Sequence, residues 1–176
     1  LIPRRMPGAH DLWLKPLPWA DVQRRIDSVH RPYHETIARM MRAARDVHGH
    51  AILLDLHSMP PLPPPGAGRP APGLVLGDRF GRSASARLTT LAADVVAGHD
   101  MIAALNHPYA GDYLIDRHSC PEQGMHAIQL EIDRALYLDA TLDRPGPGLE
   151  RIRALVTAMV EALAVELPRA DYALAA

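Results

Sequence analysis

Apolar positions recur at three- and four-residue steps in three stretches of the chain. In the first, Val22, Ile26, Val29, Tyr33, Ile37, Met40, Met41, Ala44 and Val47 form one stripe, the spacing of a single helix face. Pro32 falls inside this stripe. With no N–H and a fixed φ it breaks or kinks the helix there and opens a second helical segment. The second stretch covers residues 85 to 97, with Leu88, Leu91, Val95 and Val96 inward and Gly98 as the stop. The third begins after Pro147, where Leu149, Ile152, Leu155, Val156, Met159, Val160 and Leu163 line up. All three stripes read as core faces.

Between these stretches lie apolar runs of strand length at residues 51–57, 101–106 and 126–132. Strands separated by helices predict an α/β fold with a mixed, largely parallel central sheet flanked by helices. Each run ends, or nearly ends, in polar residues, and in open α/β sheets sites gather at the carboxyl ends of strands. Residues 60–83 are rich in Pro and Gly and carry no periodicity, so they are expected to form an irregular loop. Its prolines fit either a stiff surface loop beside a site or a polyproline ligand, and the stiff loop is the plainer reading. No repeat or linker divides the chain, so residues 1–176 are expected to form one domain.

The chain has 176 residues, 48% of them hydrophobic and 22% charged, enough for one core without disulfides. Lys and Arg number 19 against 20 Asp and Glu, a net charge of -1. That lacks the basic excess of a nucleic-acid or anionic-membrane binder, so neither is an expected partner. A single cysteine, Cys120, cannot pair within the chain and points to a reducing, cytoplasmic setting. No apolar run approaches the roughly 18 residues of a membrane span, and nothing resembles a signal peptide. The chain opens on LIPRRMPG without an initiator Met and is expected to be the later part of something longer, truncated at its N-terminus. Oligomeric state is not encoded at this level.

Three places concentrate polar chemistry. In Leu53-Leu54-Asp55-Leu56-His57-Ser58, strand alternation puts Asp55 and His57 on one face and Leu54 and Leu56 on the other. This pairs a metal-competent imidazole with a carboxylate able to orient it, or else is a core histidine bonded to Asp. In Gln129-Leu130-Glu131-Ile132-Asp133-Arg134, the apolar residues alternate with Gln129, Glu131 and Asp133, so Glu131 should point into a cleft. A lone buried carboxylate costs several kcal/mol, so Glu131 must meet a cation, a metal-bound water or an Arg. Arg134 is the nearest in sequence, although three residues on it should leave by the opposite face. In Asn106-His107-Pro108-Tyr109, Asn106 and His107 offer donors for a carbonyl or carboxylate at a strand end. Arg79, in Leu76-Gly77-Asp78-Arg79-Phe80-Gly81, is either a bidentate carboxylate binder or a surface Arg. No HExxH, CxxC pair, Walker loop, GxGxxG or GxSxG is present. Cys120 has no evident base, and His10, His30, His34, His48 and His50 receive no role.

Taken in order, DLHSMP, LGDRFG, NHPYAG and HAIQLEIDRALY, with IPRR and RPYH before them, resemble the N-formylglutamate amidohydrolase family. The resemblance covers nearly the whole chain. It implies a phosphorylase/hydrolase-like α/β fold similar to the zinc carboxypeptidases, with a mixed sheet between helices. It further implies that His57 is a zinc ligand and Glu131 the general base. The reaction implied is hydrolysis of N-formyl-L-glutamate to formate and L-glutamate, late in histidine degradation, with a small molecule as the partner. Arg79, and after it Arg134, are the expected cations for the substrate carboxylates. The family's His-Ser-Gly and Asp-Leu-Asn-Arg motifs are absent here. Further zinc ligands are therefore expected in a missing N-terminal part, since hydrolytic zinc takes three protein ligands and a water. Two alternatives stay open: a hydrolase of another N-acyl amino acid or peptide, and a catalytically incomplete domain that binds a small acid or a partner.

Overall fold

A computed structural model describes residues 11–13 and 15–170; the IPRR motif lies outside them. The chain forms two compact units, residues 1–39 and 40–176. The first holds helix α1 (Trp19–Arg25), a π-helical turn (Ile26–His30) and the start of α2 (Arg31–His48). Pro32 is the second residue of α2. The irregular turn sits where this proline withholds the N–H that would bond the Ser28 carbonyl. Within this unit His34 is buried against the His30 ring, the two centroids lying 4.3 Å apart.

The second unit is built on four strands: β1 (Ala51–Met59), β2 (Leu74–Gly77), β3 (Ala103–Leu105) and β4 (Met125–Asp133). Their order is β1-β4-β2-β3. β1 runs parallel to β4 and β3 parallel to β2, whereas β2 is antiparallel to β4. The sheet is thus mixed, as the sequence predicts. Helices α3 (Ala86–Gly98), α4 (Tyr113–His118) and α5 (Leu149–Ala170) complete the unit.

One face of the sheet carries the core. Leu74, Leu76, Ile128, Leu130 and Ile132 meet Leu88, Ala92 and Val96 of α3 and Ile152, Leu155, Met159 and Leu163 of α5. Full burial of each Leu or Ile side chain contributes about 2 kcal/mol, so this cluster dominates the favourable side of folding. On β4 the intervening residues Ala127, Gln129, Glu131 and Asp133 are also buried, on the opposite face. There the chain leading into α4 lies against the sheet, and the Asp112 N–H donates to Gln129 Oε1.

Two expectations are corrected. Residues 60–83 are not wholly irregular: β2 occupies 74–77 at the middle of the sheet, with Leu74, Val75 and Leu76 fully buried. A central strand is apolar on both faces and shows no alternation, and four residues are too few for periodicity. Nor do all the strands give out at one edge. Because β2 opposes β4, it ends with Gly77 level with Gln129, and β3 ends with Leu105 beside Leu76, so Arg79 and Asn106 follow strand ends near the level of Gln129 rather than that of Asp133.

Candidate active site

Parallel pairing of β1 with β4 sets His57 opposite Glu131 and Asp55 opposite Gln129. All four side chains share one face, since partners in register project together. His57 Nε2 lies 3.0 Å from Asp55 Oδ2, and His57 Nδ1 lies 3.7 Å from Glu131 Oε1. With its proton on Nε2 the ring donates to Asp55 and leaves the Nδ1 lone pair toward Glu131. The His57 side chain is 44% exposed and that of Glu131 only 9%, so the imidazole stands at the mouth and the carboxylate behind it. The His57 ring is bonded to Asp55 and is open to solvent, so it is not a core histidine.

Glu131 has no Arg partner among the described residues. Its neutral partner is Gln129, whose Nε2 donates to Glu131 Oε1 at 2.8 Å with both side chains buried. Sequence reasoning placed Gln129 on this face without seeing its role; the signal available was the alternation that groups Gln129 with Glu131. The α5 face of the sheet carries a cleft that Glu131, on the other face, does not line. This cleft of about 500 Å³ is walled by Leu56, Ile132, Tyr137, Leu149, Ile152 and Val156, with His57, Ser58, Arg153 and Thr157 at polar points. Leu56 and Ile132 belong to the α5 face of the sheet, and Arg153 pairs with Glu150. This apolar space is poorly suited to a dianionic substrate.

Arg79, Asn106 and His107 stand on the turns that follow β2 and β3. Arg79 has φ 55° and holds Nε 3.0 Å from Asp116 Oδ1. Asn106 is spent inside its own turn: Oδ1 accepts from the Asp78 and Phe80 N–H groups, and Nδ2 donates to Asp78 Oδ1 at 2.7 Å. Its role there is to hold the 78–81 turn. His107 is exposed, followed by a cis peptide bond to Pro108. Arg134 opens a short 3-10 turn directly after β4, and its Nε donates to the Met59 carbonyl at 3.4 Å. It stays at the sheet edge that carries His57 and Glu131.

Zinc in a hydrolytic site takes three protein ligands and a water. Among the described residues no group of three or more His, Cys, Asp or Glu side chains is placed to hold a metal ion. Asp55, His57 and Glu131 contact one another in series, and the ring nitrogens already face the two carboxylates. These residues do not by themselves fit a zinc site.

A family model described as N-formylglutamate amidohydrolase matches residues 1–138, a span that includes β1, β4, His57, Glu131 and Arg134. The chain belongs to the N-formylglutamate amidohydrolase family. The name denotes hydrolases that cleave an amide, and it agrees with the resemblance carried by the four ordered motifs. An N-formylglutamate deformylase of Pseudomonas aeruginosa is 30% identical over 143 residues, covering 80% of this chain and 54% of that protein. Another from Pseudomonas putida is 29% identical, over 68% of this chain and 45% of that protein. The chain spans about half the length of the curated relatives it matches. Among solved structures, an N-formylglutamate amidohydrolase from Ralstonia eutropha JMP134 superposes with a TM-score of 0.80 at 29% identity, over 90% of this chain and 58% of that one. An Agrobacterium tumefaciens gene product shares the fold, with a TM-score of 0.60 at 19% identity, over 85% and 55%. Among the described residues no helix is long and apolar enough to cross a membrane.

Proposed function

We propose that this site hydrolyses the formamide of N-formyl-L-glutamate to formate and L-glutamate, as a late step of histidine degradation in the cytoplasm. One observation carries the reading: in a chain of this family, a buried carboxylate, Glu131, is hydrogen-bonded on one oxygen and set beside a half-exposed imidazole. Glu131 takes a proton from water as the water oxygen adds to the formyl carbon. The resulting carboxylic acid returns that proton to the amine nitrogen as the C–N bond breaks, which restores the carboxylate. A general base used in this way contributes on the order of 10²–10⁴-fold in rate. Arg79, on the turn after β2, and after it Arg134, directly after β4, are the proposed cations for the substrate carboxylates. Zinc, with His57 as one ligand, belongs to the proposal only with ligands beyond the described residues, and no step above is routed through it.

A second reading, a domain that binds a small acid without turning it over, draws on the absence of a three-ligand set among the described residues. Formate release from N-formylglutamate, set against N-formylaspartate and an N-acylated dipeptide, tests the first reading. Preferred turnover of N-formylglutamate supports it, cleavage of the dipeptide alone moves the substrate class, and calorimetric binding without turnover supports the second reading.

A further inference from the structure

We propose that Gln129 is a positioning residue that fixes which oxygen of Glu131 is free to take the proton; this rests on reading Glu131 as the base. The inference begins at a glycine. Gly77 on β2 pairs with Gln129 on β4. A Cβ at Gly77 would lie 2.7 Å from the Ala110 carbonyl carbon and from the Gly111 nitrogen, both backbone atoms. Only glycine admits so close an approach of the 110–112 segment to the sheet. That approach delivers the Asp112 N–H to Gln129 Oε1 at 3.1 Å.

A backbone N–H can only donate, so it fixes the orientation of the Gln129 amide. The carboxamide oxygen faces Asp112, and the NH₂ therefore faces Glu131, 2.8 Å from Oε1. His57 Nδ1 approaches the same oxygen. With Oε1 holding the Gln129 hydrogen bond, and His57 Nδ1 at 3.7 Å too far to add another, Oε2 is the oxygen left for water. Gln129 is 4% exposed and has no solvent alternative for its amide. The start of α4 and the base are thereby joined through one side chain. Asp112 also caps α4, its carboxylate accepting the Tyr113 N–H at 2.6 Å.

The test uses Gln129→Met, which keeps the shape and removes the donor, and Gln129→Asn, which keeps the polar groups but withdraws the amide by one methylene. Both are assayed for formate release from N-formylglutamate in the full chain, and Gln129→Met is also placed in a Glu131→Gln background. A misaimed reacting group costs up to about 10²-fold, so kcat should fall roughly 10- to 100-fold in both single variants with KM within about threefold of the parent. In the Glu131→Gln background Gln129→Met should change the residual rate by less than about twofold, because the effect acts through Glu131. Parental kcat in both single variants would overturn the proposal. So would an equal fold-loss in both backgrounds, the signature of a purely structural residue. A crystal structure of the better-folded variant gives a readout free of activity. Rotation of the Glu131 carboxylate from its parental orientation supports the proposal, and an unmoved carboxylate refutes it. If the parent releases no formate, the base reading fails, and the crystal structure alone decides the positioning.

Discussion

Asn106→Ala removes three hydrogen bonds that hold a turn the backbone does not favour. Arg79, Phe80 and Gly81 follow one another at φ 55°, 59° and 79°, and Asn106 itself sits at φ 56°. For non-glycine residues this left-handed conformation costs roughly 1–2 kcal/mol each. Asp78, 4% exposed, anchors the turn by accepting from the Gly81 N–H, Thr89 Oγ1 and Asn106 Nδ2. Truncation at Asn106 strips one donor from that buried carboxylate and leaves the Asp78 and Phe80 N–H groups without their acceptor. The bond to the carboxylate contributes about 2 kcal/mol and the two backbone bonds about 1 kcal/mol each. An Ala held at positive φ adds roughly another 1 kcal/mol. The expected loss is therefore about 4–5 kcal/mol, a fall in Tm on the order of 10 °C for a chain of this size. Urea unfolding followed by far-ultraviolet circular dichroism measures it, with exposed His107→Ala as the control expected within about 0.5 kcal/mol of the parent. A loss below about 1 kcal/mol at Asn106 would refute the assignment of its side chain to the turn and return it to the substrate-binding residues.

Two further predictions follow from other parts of the molecule. Burial, and after it the Glu122 side chain, pushes the Cys120 thiol above its ordinary pKa, so less thiolate is present at pH 8 and alkylation by iodoacetamide should be slower than for a free thiol; equal or faster labelling would contradict this. Because the described residues offer no three-ligand set, the 176-residue chain equilibrated with zinc and then dialysed should retain less than one equivalent by elemental analysis. One tightly held equivalent that disappears in His57→Ala would show that the ligand set is complete after all.

The helical stripes were legible because amphipathic spacing is imposed by the core they cover: Leu88 and Val96 of α3 and Ile152, Leu155, Met159 and Leu163 of α5 are all buried. The runs that became β1 and β4 were legible too, and so was the face shared by His57 and Asp55. What spacing cannot carry is direction. Nothing in NHPYAG or LGDRFG states that β2 and β3 run against β4, and that reversal sets the level of the sheet at which Asn106 and Arg79 follow their strands. β2 itself was hidden among prolines and glycines, and α4, six residues long, is too short for a stripe. The requirement that a buried Glu131 find a partner was correct. Its fulfilment by Gln129 rather than by an arginine depends on the Asp112 N–H, a contact 17 residues away in the chain that only the close approach at Gly77 brings about.

The central claim is that Glu131 is the base, and Glu131→Gln tests it most directly. The change is nearly isosteric and keeps a hydrogen-bonding side chain beside Gln129, so the circular dichroism spectrum should match that of the parent. Formate release from N-formylglutamate, measured on equal amounts of folded protein, should fall by about 10²–10⁴-fold. Release within about twofold of the parent rate would leave Glu131 as a buried hydrogen-bonding partner only, and the proton would have to be taken by another group.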